Sequence, residues 1–203
     1  MPRRSILSAA ERASLLLPPD TEDELIRHYA FGETDLSLIR QRRGDANRLG
    51  VAVQLCLLRF PGQGLLPDAS MPMSLLQWIG RQLRIDPSCW PQYAEREETR
   101  REHLLELRAY LGVEPFGLAH YRQAVHATTE LALQTDKGIV LAVNVLDTLR
   151  HRHIIIPALD VIERVCAEAI TRANRRIYEA LSETMADAHR RRLDDLLKRR
   201  ESG

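Results

Sequence analysis

The chain has 203 residues and a formal net charge of +1, enough length for one large or two small domains, each with a core of its own. Hydrophobic content of 44% with 28% charged residues is that of an ordinary globular protein, and 5% aromatics with ten glycines favour helices over strands, so the reading is all-α. No apolar run approaches bilayer length and no secretory h-region follows Met-Pro-Arg-Arg, which predicts a cytoplasmic protein without membrane contact. Cys56, Cys89 and Cys166 are odd in number and far apart, so they read as buried thiols rather than a disulfide framework or a metal site.

Helix punctuation recurs along the whole chain. Ser8 and Glu11 form a capping box that opens a helix toward Leu17, and Pro18-Pro19 ends it. Asp20 or Thr21 caps a second helix with Glu22, Asp23 and Glu24 in its first turn and Leu25, Ile26 and Tyr29 on its apolar stripe. Phe31-Gly32 turns the chain, Thr34 caps a third helix through Arg42, Gly44 stops it, and Asp45 caps a fourth that ends at Phe60-Pro61. From Leu49 to Leu58 this fourth helix is apolar nearly all round and needs neighbours on every side.

Pro61 to Met73 concentrates proline and glycine and reads as a boundary. Beyond it the sequence predicts a helix capped by Ser74 and running to Leu83, then a short one opened by Asp86-Pro87 that contains Trp90. A charged helix follows from about Glu95 to Leu111, with Leu104, Leu107 and Leu111 on one stripe, and Gly112 ends it. Helices then carry Leu118, Tyr121 and Val125, the stretch from Gly138 to about Arg152, and a long pattern opened by Pro157 with Leu159, Ile162, Val165, Cys166, Ile170 and Ile177. A terminal helix ends in the charged run Leu-Lys-Arg-Arg-Glu, and no fixed-period repeat appears. The expected organisation is a first helical module over 1–62, a linker over 63–73, a second module over 74–153 and a helical extension over 154–203.

Within this frame SLIRQRRGDANRLG, Ser37 to Gly50, places Arg40, Arg42, Arg43 and Arg48 within nine positions. Only Lys137 and Lys198 are lysines among 29 basic residues, and arginine offers a planar fork suited to phosphate and guanine. The second and third helices form a helix-turn-helix pattern. At 100° per residue Leu36, Leu38 and Ile39 face the core, and Ser37, Arg40, Gln41 and Gly44 face away. Arg40 and Gln41 on that outer face suit base edges, while Arg42, Arg43 and Arg48 suit phosphates. Asn47 and Arg48 stand at the positive N-terminus of the fourth helix. An ordinary solvated basic helix fits the same pattern.

The helices around the turn at 112–117 offer a fainter version, with Arg100 and Arg101 on one helix and His120, Arg122 and Gln123 on the next. Arg100 and Arg101 alternate with Glu97, Glu98 and Glu102, which favours intrahelical pairing. His151-Arg152-His153 lacks zinc spacing and reads as a solvated helix end. There is no GxxxxGK, HExxH or GxSxG, and no residue is singled out as catalytic, metal-ligating or cofactor-binding.

Specific stretches carry a family resemblance. MPRRSILSAAER at the N-terminus, TDLSLIRQRRGDANRLGVAVQLCLLRFPG from Thr34 to Gly62 and YAEREETRREHLLELRAYLGVEPFG from Tyr93 to Gly117 resemble the N-terminal part of the TnpA transposases of the Tn-three family of replicative bacterial transposons. LALQTDKG and IIIPALDVIERVCAEAITRANRRIYEAL extend the resemblance over essentially the whole chain. It implies paired helical DNA-binding domains that recognise terminal inverted repeats, and a catalytic acidic triad in a downstream domain absent from this chain. Arg3 and Arg4 join the DNA-binding candidates on this reading. The implied partner is double-stranded DNA, with a homodimer conceivable in the full-length protein. The alternative is a helical protein-interaction or regulatory module whose arginines serve solubility.

Overall fold

A computed structural model describes residues 6–65, 71–93 and 97–184, together with 189, 191 and 192. Nine α-helices and one short 3-10 helix account for the regular structure of these residues, so the fold is all-α. The helices are α1 (Ala9–Ser14), α2 (Glu22–Tyr29), α3 (Glu33–Arg40), α4 (Asp45–Arg59) and α5 (Met73–Leu83), followed by the 3-10 helix Pro87–Gln92. After it come α6 (Glu97–Leu111), α7 (Leu118–Ala132), α8 (Gly138–His151) and α9 (Leu159–Thr184).

Local chemistry sets most boundaries. Ser8 accepts the Glu11 N–H while the Glu11 carboxylate accepts the Ser8 N–H at 2.7 Å, the reciprocal capping box expected of that spacing. Thr21 rather than Asp20 caps α2. α3 begins two residues earlier than a Thr34 cap would have it, because Gly32 stands at the cap and donates its N–H to Asp35 at 2.9 Å. Gly44, not Asp45, stands before α4 with φ +79°, a conformation that favours glycine. Pro72 takes the cap position expected for Ser74, and α9 starts two residues after Pro157. The proline-rich segment around Trp90 closes into 3-10 geometry with Asp86 as its cap. The terminal Leu-Lys-Arg-Arg-Glu run lies outside the described residues.

The chain divides into two compact units at places other than those the sequence suggests. The larger takes residues 8–117 and 146–159, and the smaller takes 1–7, 118–145 and 160–203. The proline-glycine segment at 63–73 therefore lies inside the larger unit instead of ending it. The physical reason is α4: all ten residues from Leu49 to Leu58 are buried, and α2 and α3 cover only part of that surface. α5, the 3-10 helix and α6 close the rest, so Leu75, Leu76, Ile79 and Leu107 share one core with Leu49, Val53 and Leu57. The chain at 153–156 joins the same unit through Ile156 N–H to the Gly62 carbonyl (2.8 Å) and an isolated parallel bridge between Glu114 and Ile154. In the smaller unit Tyr121 of α7 donates to Glu168 of α9 at 2.7 Å, and Arg176 of α9 pairs with Glu130 of α7 at 2.5 Å. Cys56 and Cys166 are buried thiols as expected, whereas Cys89 is half-buried.

Close packing leaves no room at Gly50. A Cβ there would lie 2.1 Å from Cδ2 of Tyr93, whose ring is fixed by Gln54 and His103. Gly50→Ala is expected to cost about 3 kcal/mol or more in denaturant unfolding. Gly117→Ala, where a Cβ meets nothing within 4 Å, should stay within about 0.5 kcal/mol of the parent.

Candidate nucleic-acid interface

The α3–α4 corner of the larger unit is held from inside by a buried carboxylate. Asp35 is 3% exposed and receives Gly32 N–H on one oxygen. Its other oxygen takes Arg59 Nη2 at 2.6 Å and the Tyr110 hydroxyl at 2.7 Å. One side chain thus ties the start of α3 to the end of α4 and the end of α6. Burial alone would raise its pKa, but the bonds from Arg59, Tyr110 and Gly32 together hold the carboxyl below its usual range.

A second polar set sits under α6. Gln54 donates to the Tyr93 hydroxyl at 2.5 Å, and that hydroxyl lies 3.2 Å from His103 Nδ1. Burial pushes the Tyr93 phenol up to about 12, and burial with the nearby Arg42 charge keeps His103 below the ordinary imidazole value.

These supports decide which arginines are engaged. Arg42 is half-buried and ion-paired with Glu106 of α6. Arg48 donates its Nε to the Arg42 carbonyl at 2.9 Å and approaches Asp45 at 3.6 Å. Asn47 donates to the Arg43 carbonyl at 3.0 Å. Arg42, Arg48 and Asn47 therefore stitch the α3–α4 junction. Ser37, Arg40, Gln41, Arg43 and Gly44 are all exposed, while Asp35 and Ile39 point inward and Leu36 and Leu38 are half-buried. Among the described residues Arg40 and Arg43 have no ion pair or side-chain hydrogen bond.

The other candidates stand on α6 and α7 or outside the described residues. Arg100 is half-buried and its carbonyl accepts from Gln54, and Arg101 pairs with Glu97 one turn away at 3.2 Å. His120, Arg122 and Gln123 lie on α7 in the smaller unit; His120 is half-buried and the other two are exposed. The helices on either side of the 112–117 turn therefore cluster in different units. Arg3 and Arg4 lie outside the described residues. The sequence reading missed Arg59, Tyr110 and Gln82; it weighed Asp35 and Asp45 as partners of Arg43 or Arg48 that would hold the two helices together, and Asp45 does approach Arg48 while Asp35 pairs with Arg59. Gln82 of α5 accepts the Phe31 N–H and donates to the Tyr29 carbonyl, both at 3.0 Å, and so grips the α2–α3 turn. Gly32 and Asp35 at capping-box spacing were the one available signal. His151 approaches the Asp147 carbonyl at 2.7 Å, and the described residues contain no group of three His, Cys, Asp or Glu able to hold a metal ion.

Asp35→Ala strands the Arg59 guanidinium and should lower unfolding free energy by about 3 kcal/mol. The lowered pKa gives the pH sign. The stabilisation by Asp35 is complete above the unfolded carboxylate value of about 4 and is lost as pH falls through the native value. Thermal melts of the parent should therefore fall more steeply with acid than those of Asp35→Asn.

Comparison with known proteins adds the identity of this corner's family. The family described as "Domain of unknown function (DUF4158)" matches residues 6–169. The transposase for transposon Tn21 of Escherichia coli is 63% identical over 203 residues, which is all of this chain and 20% of that protein. The transposase for transposon Tn501 of Pseudomonas aeruginosa is 58% identical over 198 residues, 98% of this chain and 20% of that one. The transposase for transposon gamma-delta of Escherichia coli strain K12 is 30% identical over 162 residues, 78% and 16% respectively. The chain thus spans about a fifth of the length of these relatives. It belongs to the DUF4158 family, and its match is to the N-terminal region of Tn-three family transposases.

Proposed function

We propose that this chain is the end-recognising part of a transposase, binding the terminal inverted repeats of its transposon as duplex DNA in the cytoplasm and presenting them to catalytic machinery elsewhere. Similarity to transposases over the full chain supports the setting. The observation that carries the DNA reading is the exposed end of α3 and the turn after it, where Arg40 as the last residue of α3 and Arg43 in the turn stand exposed and without an ion pair among the described residues, with the cap residue Gln41 between them. Arg40 and Gln41 match guanine and adenine edges, and Arg43 in the turn between α3 and α4 suits a phosphate. Arg42 and Arg48 set the angle between α3 and α4, so their contribution is chiefly positional, with Arg48 retaining partial exposure toward the backbone. Cleavage and joining lie outside the chemistry proposed for this segment.

A second reading, helical assembly of the longer protein as a homodimer, is favoured by one observation. Beyond Ala173 every side chain of α9 from Asn174 to Glu183 is exposed, including Ile177, Tyr178 at 68% and Leu181. Sedimentation of the chain and of a Tyr178→Glu variant tests this role: a dimer in the parent that the variant loses supports it, and a monomer in both argues against it.

The DNA reading is tested by equilibrium binding to terminal-repeat and scrambled duplexes at several salt concentrations. Arg40→Ala should cost about 1–3 kcal/mol on the correct repeat and little on scrambled DNA. Arg43→Ala should weaken both alike and reduce the salt slope by about one. Equal losses on the two duplexes for Arg40→Ala would remove the base-reading assignment.

A further inference from the structure

The α2–α3 turn is not held by its own helices alone. Gln82 reaches across from the end of α5 and bonds both sides of it, at Tyr29 and Phe31. This carries the last turn of α5 to the edge of the larger unit where α3 begins. Two arginines flank Gln82 there, Arg81 and Arg84, and both are exposed. Neither has an ion pair among the described residues. Asp86, the nearest acid along the chain, is engaged in capping the 3-10 helix through Ser88 N–H at 2.8 Å.

Arg84 is also in an unusual conformation for its type. It closes α5 with φ +58°, left-handed backbone that glycine adopts freely and arginine does not. The Ile85 N–H returns to the Gly80 carbonyl at 2.9 Å, the usual wrap of a helix end. Glycine is present in this turn, but at position 80, where an added Cβ would lie 2.6 Å from the Ile85 carbonyl oxygen. The left-handed position itself keeps a cation, at a conformational cost that a glycine would remove. A backbone outlier kept at a polar surface is a reason to look for function there.

We propose that Arg81 and Arg84 form a second phosphate-holding edge beside the α2–α3 turn, gripping the backbone of the same duplex that α3 reads. This rests on the DNA reading above. The two guanidinium groups take phosphate oxygens and carry no sequence information, so they fix the register of α3 in the groove.

Arg84→Gly separates the proposal from damage to the fold, because glycine relieves the left-handed backbone. The variant should melt at or above the parent temperature. It should nevertheless bind terminal-repeat and scrambled duplexes equally more weakly, roughly fivefold at about 0.15 M salt, with a salt slope smaller by about one. Arg81→Gln should repeat the loss and the change in slope. A variant that melts higher and binds with unchanged affinity and slope overturns the proposal, since Arg84 is then only a strained helix end. A selective loss on the terminal repeat would also overturn it by making the contact one to bases. Failure of the parent chain to bind any duplex would remove the DNA reading itself, which is distinct from binding by the parent that the variants leave unaltered.

Discussion

A single buried helix governs the larger unit. α4 runs ten consecutive buried residues from Leu49 to Leu58, and an α-helix with no solvent face is stable only inside a ring of other elements. α2, α3, α5, α6 and the 3-10 helix supply that ring, and each arrives from a different part of the chain. Gly50 marks how closely the ring approaches, since the Tyr93 ring occupies the space a side chain would need. The segment between α4 and α5 cannot separate two domains while both of its flanks bury the same residues.

Apolar burial is non-directional and does not by itself fix the angle at which α3 leaves the core. The buried polar groups do that. Asp35 must find donors, and the three it finds come from the Gly32 turn, α4 and α6. Gln82 imposes the same requirement on the α2–α3 turn from α5. Arg42 and Arg48 then lock the short link between α3 and α4. The outer face of α3 is thus aimed by interactions on its inner face and at its ends, which leaves the outward side chains free of structural duty.

The parts of this arrangement that were legible in the sequence are those with local causes. Helix existence followed from periodicity and capping residues, and the inward and outward sides of α3 followed from 100° per residue. The apolar continuity of α4 was equally plain. What its burial required was not, because periodicity names a face without naming its neighbour. A Pro/Gly-rich stretch signals a break in helix, and α4 does end at Arg59 before it while α5 begins at Met73, but a break in secondary structure is not a break in the core. Asp35 was legible only as a partner for the nearby Arg43 or Arg48, since its actual partners Arg59 and Tyr110 lie 24 and 75 positions away. Arg42 and Arg43 are adjacent and identical in type, yet one is tied to Glu106 and the other is exposed, a distinction that only the position of α6 creates.

That distinction bears on how a chain with almost no net charge sustains a basic surface. The formal balance of +1 averages over acids that are already in use. Near the α3–α4 corner Asp35 is spent on Arg59, Glu106 on Arg42 and Asp45 in part on Arg48. Each of these arginines is matched to an acid close to home. Arg40 and Arg43 have no such partner among the described residues. Partner charges within a few ångströms cancel, whereas unpaired ones project over roughly a Debye length of 8–10 Å. On the DNA reading proposed above, the arginines left without an acid partner, rather than the total charge of the chain, are the groups offered to a polyanion.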